Sequence, residues 1–182
     1  MFKGETKVDV NVAKENVAQD INVSTKKCKD VLTAESSAKV LHNMRIAPAV
    51  TVVAAYAGGT TTNMTADNQA SNLGLDSNWP VLANKNGNNN YPGLNKAGEV
   101  RLYGNPSNII SFAYSAGTIV SIKINYTANN YSNGLVKVGG AAVTGDGGVY
   151  NINSTEFTLE NGNSNTTQVR FSSIEIVVIP NA

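Results

Sequence analysis

The strongest structural signal in this sequence is a strict alternation of apolar and polar side chains over residues 120–126. Val120, Ile122, Ile124 and Tyr126 alternate there with serine, lysine and asparagine. Successive side chains of a β-strand point to opposite faces, so a period of two indicates a strand with one buried face. Such a strand needs neighbouring strands and a second layer to cover its apolar face.

Other segments carry shorter strand signals. They are the buried-type apolar run at 50–56, the pairs at 100 and 102 and at 136 and 138, the alternation at 110, 112 and 114, and the segments 149–152, 157–159 and 169–178. Turn-forming sequences such as Asn133-Gly134 separate them. The chain holds 26 asparagines, a residue enriched in turns. About eight short strands predict an all-β body, a β-sandwich or jelly roll, with long loops over residues 58–96.

The last strand changes its register. Val169 and Phe171 have one parity, whereas Ile174, Ile176 and Val178 have the other. A β-bulge adds one residue to a strand and so restores a common face. We therefore predict a bulge at Ser172-Ser173.

The chain divides into two regions of different chemistry. Residues 1–46 hold 14 of the 27 charged side chains and only one of the twelve aromatic residues. The sequence therefore predicts a charged N-terminal arm, residues 1–46, and a β-sandwich domain, residues 47–182.

The arm carries two short apolar patterns. Val8, Val10 and Val12 alternate as in a strand, and the stripe that includes Val31, Leu32 and Leu41 has approximately helical spacing. One short strand and one short helix cannot bury their apolar faces alone. We expect these six residues to contact sister chains or another protein of a larger assembly.

Catalytic chemistry finds little support. His42 is the only histidine and Cys28 the only cysteine, and both lie in the arm, so no His-based nucleophile or metal site is expected in the body. No spacing pairs two of the body's carboxylates, so we predict no catalytic residues and no enzyme. A net charge of +1 argues against a nucleic-acid partner. We also expect neither a signal peptide nor a membrane span.

Three aromatic residues are candidates for stacking on a sugar: Trp79, Tyr91 and Tyr103. Core packing is the competing role for each. No cofactor is predicted. The best candidate for a bound ion is a structural calcium at residues 67–69 or 76–78, which supply hard oxygen ligands but do not match an EF-hand loop.

Several motifs together resemble a known kind of module. They are Gly59-Thr60-Thr61-Thr62-Asn63-Met64, Tyr91-Pro92-Gly93-Leu94, Glu99-Val100-Arg101-Leu102-Tyr103-Gly104, and the strands at 119–126 and 174–179. The chain resembles, over about residues 50–180, the small β-sandwich modules that end many secreted or surface proteins of gut bacteria. That resemblance implies a fold and carries over no catalytic residues.

A secreted-type module without an export signal is similar to the head-fibre or capsid-decoration proteins of tailed phages, such as the crAss-like group. This resemblance implies a virion structural protein, exposed on the virion surface after assembly in the host cytoplasm. It also implies a homo-oligomer, a trimer by analogy, held to capsid proteins, whose exposed domain contacts glycans or the host surface. The alternative is a carbohydrate-binding or adhesin module of a bacterial cell-surface protein whose signal peptide is missing.

Overall fold

In the computed structural model, residues 47–127, 136–143 and 148–182 are described. They contain twelve strands and one 3₁₀ turn at Ser71–Leu73. The strands are β1 (Val50–Ala54), β2 (Thr62–Asn63), β3 (Val81–Asn84), β4 (Gly93–Asn95), β5 (Glu99–Leu102), β6 (Ile109–Ala113), β7 (Gly117–Tyr126), β8 (Val136–Val138), β9 (Ala141–Val143), β10 (Val149–Ser154), β11 (Glu156–Asn161) and β12 (Val169–Pro180). The predicted arm, with its strand and helix, lies outside the described residues.

The strands form two antiparallel sheets. A seven-stranded sheet has the order β10-β7-β12-β5-β4-β2, with β1 paired to β12, and a five-stranded sheet has the order β3-β6-β11-β8-β9. Buried apolar side chains of both sheets form one cluster, which includes Ile122 and Phe171 from the first and Phe112 and Leu159 from the second. The all-β prediction is confirmed, and the two sheets around one core are consistent with a sandwich.

Strand β12 connects the larger sheet. Its first residues, 169–171, pair with β5, and residues 174–178 pair with β1. Its opposite edge pairs with β7 over residues 171–180. The register against β7 shifts between Phe171 and Ser173, which pair with Tyr126 and Asn125. The predicted bulge is confirmed: one extra residue, Ser172, keeps the buried side chains on both sides of it facing the core.

A second bulge corrects the prediction for β7. Between Val177 and Val178 of β12 the pairing residue on β7 changes from Ser121 to Ile119, so Val120 is the extra residue. Ile122, Ile124 and Tyr126 are buried as predicted, but Ile119 rather than Val120 occupies the next core position. A strict alternation cannot reveal a bulge, because the inserted residue is itself apolar.

Two other expectations were wrong in part. The apolar run at 50–56 contains β1, an edge strand in which Val50 and Val53 are exposed and only Ala54 is buried. Residues 58–96, predicted as loops, include three strands and supply core side chains such as Met64, Leu73 and Leu94. Each of these strands has only two to four residues. A strand this short gives no clear alternation in a segment rich in asparagine and glycine.

Deletion of Ser172 should unfold the domain. Ile174, Ile176 and Val178 would turn to the opposite face of the sheet. Burial of each side chain is worth about 1.5–3 kcal/mol, so exposing three removes about 4.5–9 kcal/mol, a large part of a domain's net stability. Thermal denaturation followed by circular dichroism measures the loss.

Ser172→Ala is the matched control for this deletion. It keeps the register and removes only the bond that the Ser172 hydroxyl donates to the Asn125 carbonyl, at 3.1 Å. The expected cost is about 1 kcal/mol. A deletion variant with the melting temperature of the control would contradict the structural role of the bulge.

Candidate functional site

A groove lies on the face of the larger sheet across β2, β4 and β5. On β5, Val100 and Leu102 are buried, whereas Arg101 and the following Tyr103 belong to the opposite, partly exposed face. Arg101 pairs with Gly93 of β4, and Gly93 pairs with Asn63 of β2. Asn63, Gly93 and Arg101 therefore form a row across three adjacent strands. Because Gly93 has no side chain, there is a gap between the side chains of Asn63 and Arg101.

The Tyr103 side chain extends over this opening. A Cβ atom at Gly93 would lie only 2.6 Å from the Tyr103 hydroxyl oxygen. Glycine therefore allows the phenol to approach the backbone of β4. The groove has a volume of about 310 Å³ and is here called the Tyr103 groove. Its lining residues are Thr61, Thr62, Asn63, Gly93, Leu94, Asn95, Arg101 and Tyr103. The lining residues are one tyrosine, one arginine, two asparagines, two threonines, one glycine and one leucine.

An ion cluster adjoins the groove. The Arg101 Nε donates to Glu99 Oε1 at 2.6 Å, and Arg101 Nη2 lies 2.5 Å from the same oxygen. Arg170 on β12 places its Nη1 3.6 Å from that oxygen. The Glu99 side chain is only 9% exposed, so both ion pairs are partly shielded from water. Glu99 thus holds the guanidinium of Arg101 beside the groove.

A buried asparagine positions Tyr103. The Tyr103 backbone N–H donates to Asn108 Oδ1 at 3.0 Å, and the Asn108 N–H donates to the Tyr103 carbonyl at 2.9 Å. Asn108 Nδ2 also donates to the carbonyls of Asn90 at 2.9 Å and of Lys85 at 3.3 Å. Asn108 therefore ties the end of β5 to the loop before β4.

Of the three predicted sugar contacts, only Tyr103 lines the groove. The prediction for Trp79 was wrong: it is 1% exposed and stacks on Tyr114 in the core, with ring centroids 4.7 Å apart. Tyr91 is partly buried, and the ammonium of Lys85 lies 5.0 Å from its ring centroid. Tyr91 does not line the Tyr103 groove.

Arg101, Asn63, Asn95 and Gly93 line the groove but were not predicted as site residues. The motif Glu99-Val100-Arg101-Leu102-Tyr103 held a usable signal, because its alternation places Arg101 and Tyr103 on one face. Asn63 and Asn95 had no such signal, since only the pairing of β2 with β4 and β5 brings them to the same place.

Side-chain oxygens in the two segments predicted for calcium accept hydrogen bonds from backbone N–H groups. Asn68 Oδ1 accepts from the N–H groups of Ala70 and Val81, and Asp76 Oδ1 accepts from the N–H of Asn78. Over residues 47–127, 136–143 and 148–182, no group of three or more His, Cys, Asp or Glu residues is placed to hold a metal ion.

A second groove, of about 450 Å³, lies at the five-stranded sheet. Its lining includes Pro80, Leu82, Ala113 and Glu156. Its two aromatic residues, Phe112 and Phe157, are buried in the core and stack on each other at 4.8 Å. This groove is larger but offers no exposed aromatic face, so the Tyr103 groove is the better candidate for specific recognition.

Comparisons with known proteins do not classify the chain. No protein-family model matches it, and neither the curated proteins nor the solved structures contain a match. In the part of the chain that the structure describes, no helix is long and apolar enough to span a membrane. The predicted contacts of the arm, Val8, Val10, Val12, Val31, Leu32 and Leu41, lie outside that part.

Replacement of Asn108 by alanine should destabilise the domain by about 2–4 kcal/mol, because three backbone groups lose their bonds to this fully buried amide. Urea denaturation measures the change. Asn88→Ala is the control: its amide also contacts three backbone groups in this region, but it is partly exposed and water replaces it. We expect a loss of at most about 1 kcal/mol there. Equal losses would show that Asn108 has no special structural role.

Proposed function

We propose that this chain is a non-enzymatic display protein whose β-sandwich binds a saccharide in the Tyr103 groove. The observation that carries the proposal is the placement of Tyr103 beside an arginine, two asparagines and two threonines in a single groove.

This set of groups suits a sugar. An aromatic face packs well against the apolar C–H face of a pyranose ring. A guanidinium group can donate to the sugar hydroxyls, and an amide can donate to them or accept from them. Ligand pockets usually have volumes of about 300–1,000 Å³. The groove, at about 310 Å³, lies at the lower end of that range, as expected for a single sugar unit or the end of a chain.

Binding is favoured over hydrolysis. Glycoside hydrolysis commonly uses two carboxyl groups on opposite sides of the scissile bond. None of the described residues that line the groove has a carboxyl group. The adjacent Glu99 contacts two guanidinium groups. These contacts support a structural role for Glu99 and leave the groove without an acid–base pair.

The carrier that we favour is a phage virion, on which the chain would be a head fibre or capsid-decoration protein. The support is the sequence resemblance described above and the two-region organisation predicted from the distribution of charged and aromatic residues. A bacterial surface adhesin or carbohydrate-binding protein is the alternative. Both carriers would use the same exposed groove, so the experiments on the groove do not depend on the choice.

A glycan array followed by calorimetry tests the saccharide proposal. Tyr103→Ala should weaken binding at least tenfold because it removes the stacking face. Gly93→Ala should weaken it as well, since the new methyl displaces the Tyr103 hydroxyl. Leu82→Ala, in the second groove, is the control and should leave binding unchanged. The opposite pattern would move the site to the five-stranded sheet, and an array without any bound glycan would contradict the function.

The predicted arm should make the full-length chain a homo-oligomer, and we expect a trimer. The reason is that Val8, Val10 and Val12, with the stripe from Val31 to Leu41, offer apolar surface that self-association can bury. Light scattering should show an oligomer for the full chain and a folded monomer for residues 47–182. Val10→Asp should dissociate the oligomer, with Lys3→Gln as the control. A full chain that is monomeric at tens of micromolar would contradict self-association.

A further inference from the structure

Positive charge concentrates at the Tyr103 groove. The described residues hold six basic side chains, of Lys85, Lys96, Arg101, Lys123, Lys137 and Arg170, and six acidic ones, of Asp67, Asp76, Glu99, Glu156, Glu160 and Glu175. Two of the basic side chains, Arg101 and Arg170, and one acidic side chain, Glu99, are at or beside the groove, and a third basic residue, Lys96, contacts it through its backbone. The domain as a whole has no such excess of positive charge.

Each of the three basic residues is placed there by a backbone or side-chain contact. Arg101 lines the groove. Arg170 pairs with it across β5 and β12, and both contact Glu99. Lys96 follows groove-lining Asn95, and its backbone N–H donates to the Thr61 hydroxyl at 3.1 Å. The two guanidinium groups at the groove therefore share one carboxylate, that of Glu99.

Glu99 uses only some of the hydrogen-bond donors of Arg101. A guanidinium has five N–H donors, and Glu99 occupies the edge formed by Nε and Nη2. No acceptor among the described residues contacts Nη1. The remaining edge can therefore donate two parallel hydrogen bonds to a planar or tetrahedral anion, and such charge-assisted pairs are stronger than neutral ones.

We propose that the ligand of the Tyr103 groove is an acidic saccharide, in which a carboxylate or sulfate group pairs with Arg101 while a sugar ring stacks on Tyr103. This inference rests on the proposed saccharide-binding function and specifies its ligand class. A neutral sugar would leave the charge of Arg101 without a counter-charge beyond Glu99, whereas an anionic group adds one.

Matched pairs of oligosaccharides test the inference with the full-length chain. The first pair is an oligogalacturonate and the same oligosaccharide with its carboxyl groups reduced to alcohols. The second is a sulfated galactan oligosaccharide and its desulfated form. Calorimetry should show at least tenfold tighter binding of the acidic member in one pair or both, and the responding pair identifies the anionic group.

Arg101→Gln should abolish that preference, because the acidic member loses a charge-assisted pair whereas the neutral member loses only a hydrogen bond to a hydroxyl. Lys137→Gln, a single charge change in the five-stranded sheet, is the control and should keep the preference. A measurement on the unaltered chain avoids any folding defect: raising sodium chloride from 50 to 500 mM should weaken the acidic ligand several-fold and leave the neutral one unchanged.

The results that would overturn the acidic ligand class differ from those that would overturn saccharide binding. If neutral and acidic members bind equally, or the neutral member binds better, the acidic ligand class is overturned and saccharide binding stands. If acidic members bind tighter but Arg101→Gln keeps the preference, Arg101 is not the anion site and the inference is overturned. If no oligosaccharide binds here or on the array, the proposed function fails together with the inference.

Discussion

The fold depends on one continuous inner face along β12. This strand pairs with β7 on one edge and with β5 and β1 on the other, so its register determines the position of three neighbours. Five of its side chains are buried, with Val169 and Phe171 before the bulge and three others after it. The extra residue Ser172 reconciles the two parities. Without it, one half of the strand would present its apolar side chains to water. The strands that pair with that half would then no longer be aligned with the core.

Buried amides support the irregular segments around this sheet. Asn161 is fully buried, and its Nδ2 donates to the carbonyls of Leu102 and Thr167. Asn108 does the same for the loop before β4 and also accepts from Tyr103. Buried backbone groups must find partners, and a side-chain amide can serve both a donor and an acceptor where no strand is available. The abundance of asparagine therefore serves more than turns: some of these residues hold long loops in place.

The groove follows from these two features. Buried β12 and β5 hold Arg101 and Tyr103 on a rigid surface, and Asn108 restrains the backbone at Tyr103. Gly93 then allows the Tyr103 phenol to lie close to the backbone of β4, at the edge of the groove. A site built on strands requires little reorganisation on binding, which favours recognition of a partly rigid ligand such as a sugar. The two arginines at the same place are the basis of the selectivity that we propose for an acidic ligand.

Local patterns in the sequence determined much of the secondary structure and little of the site. Alternation predicted the all-β class and the core faces of β5, β6, β11 and β12, and a parity change predicted the first bulge, because side-chain direction depends only on the strand's own geometry. Non-local pairing decided the rest. It made the apolar segment at Val50–Ala54 an edge strand, buried Trp79 against Tyr114, and brought Asn63 and Arg101 to opposite sides of Gly93. Pairing depends on which strands become neighbours, and residues far apart in the chain carry no local sign of that choice.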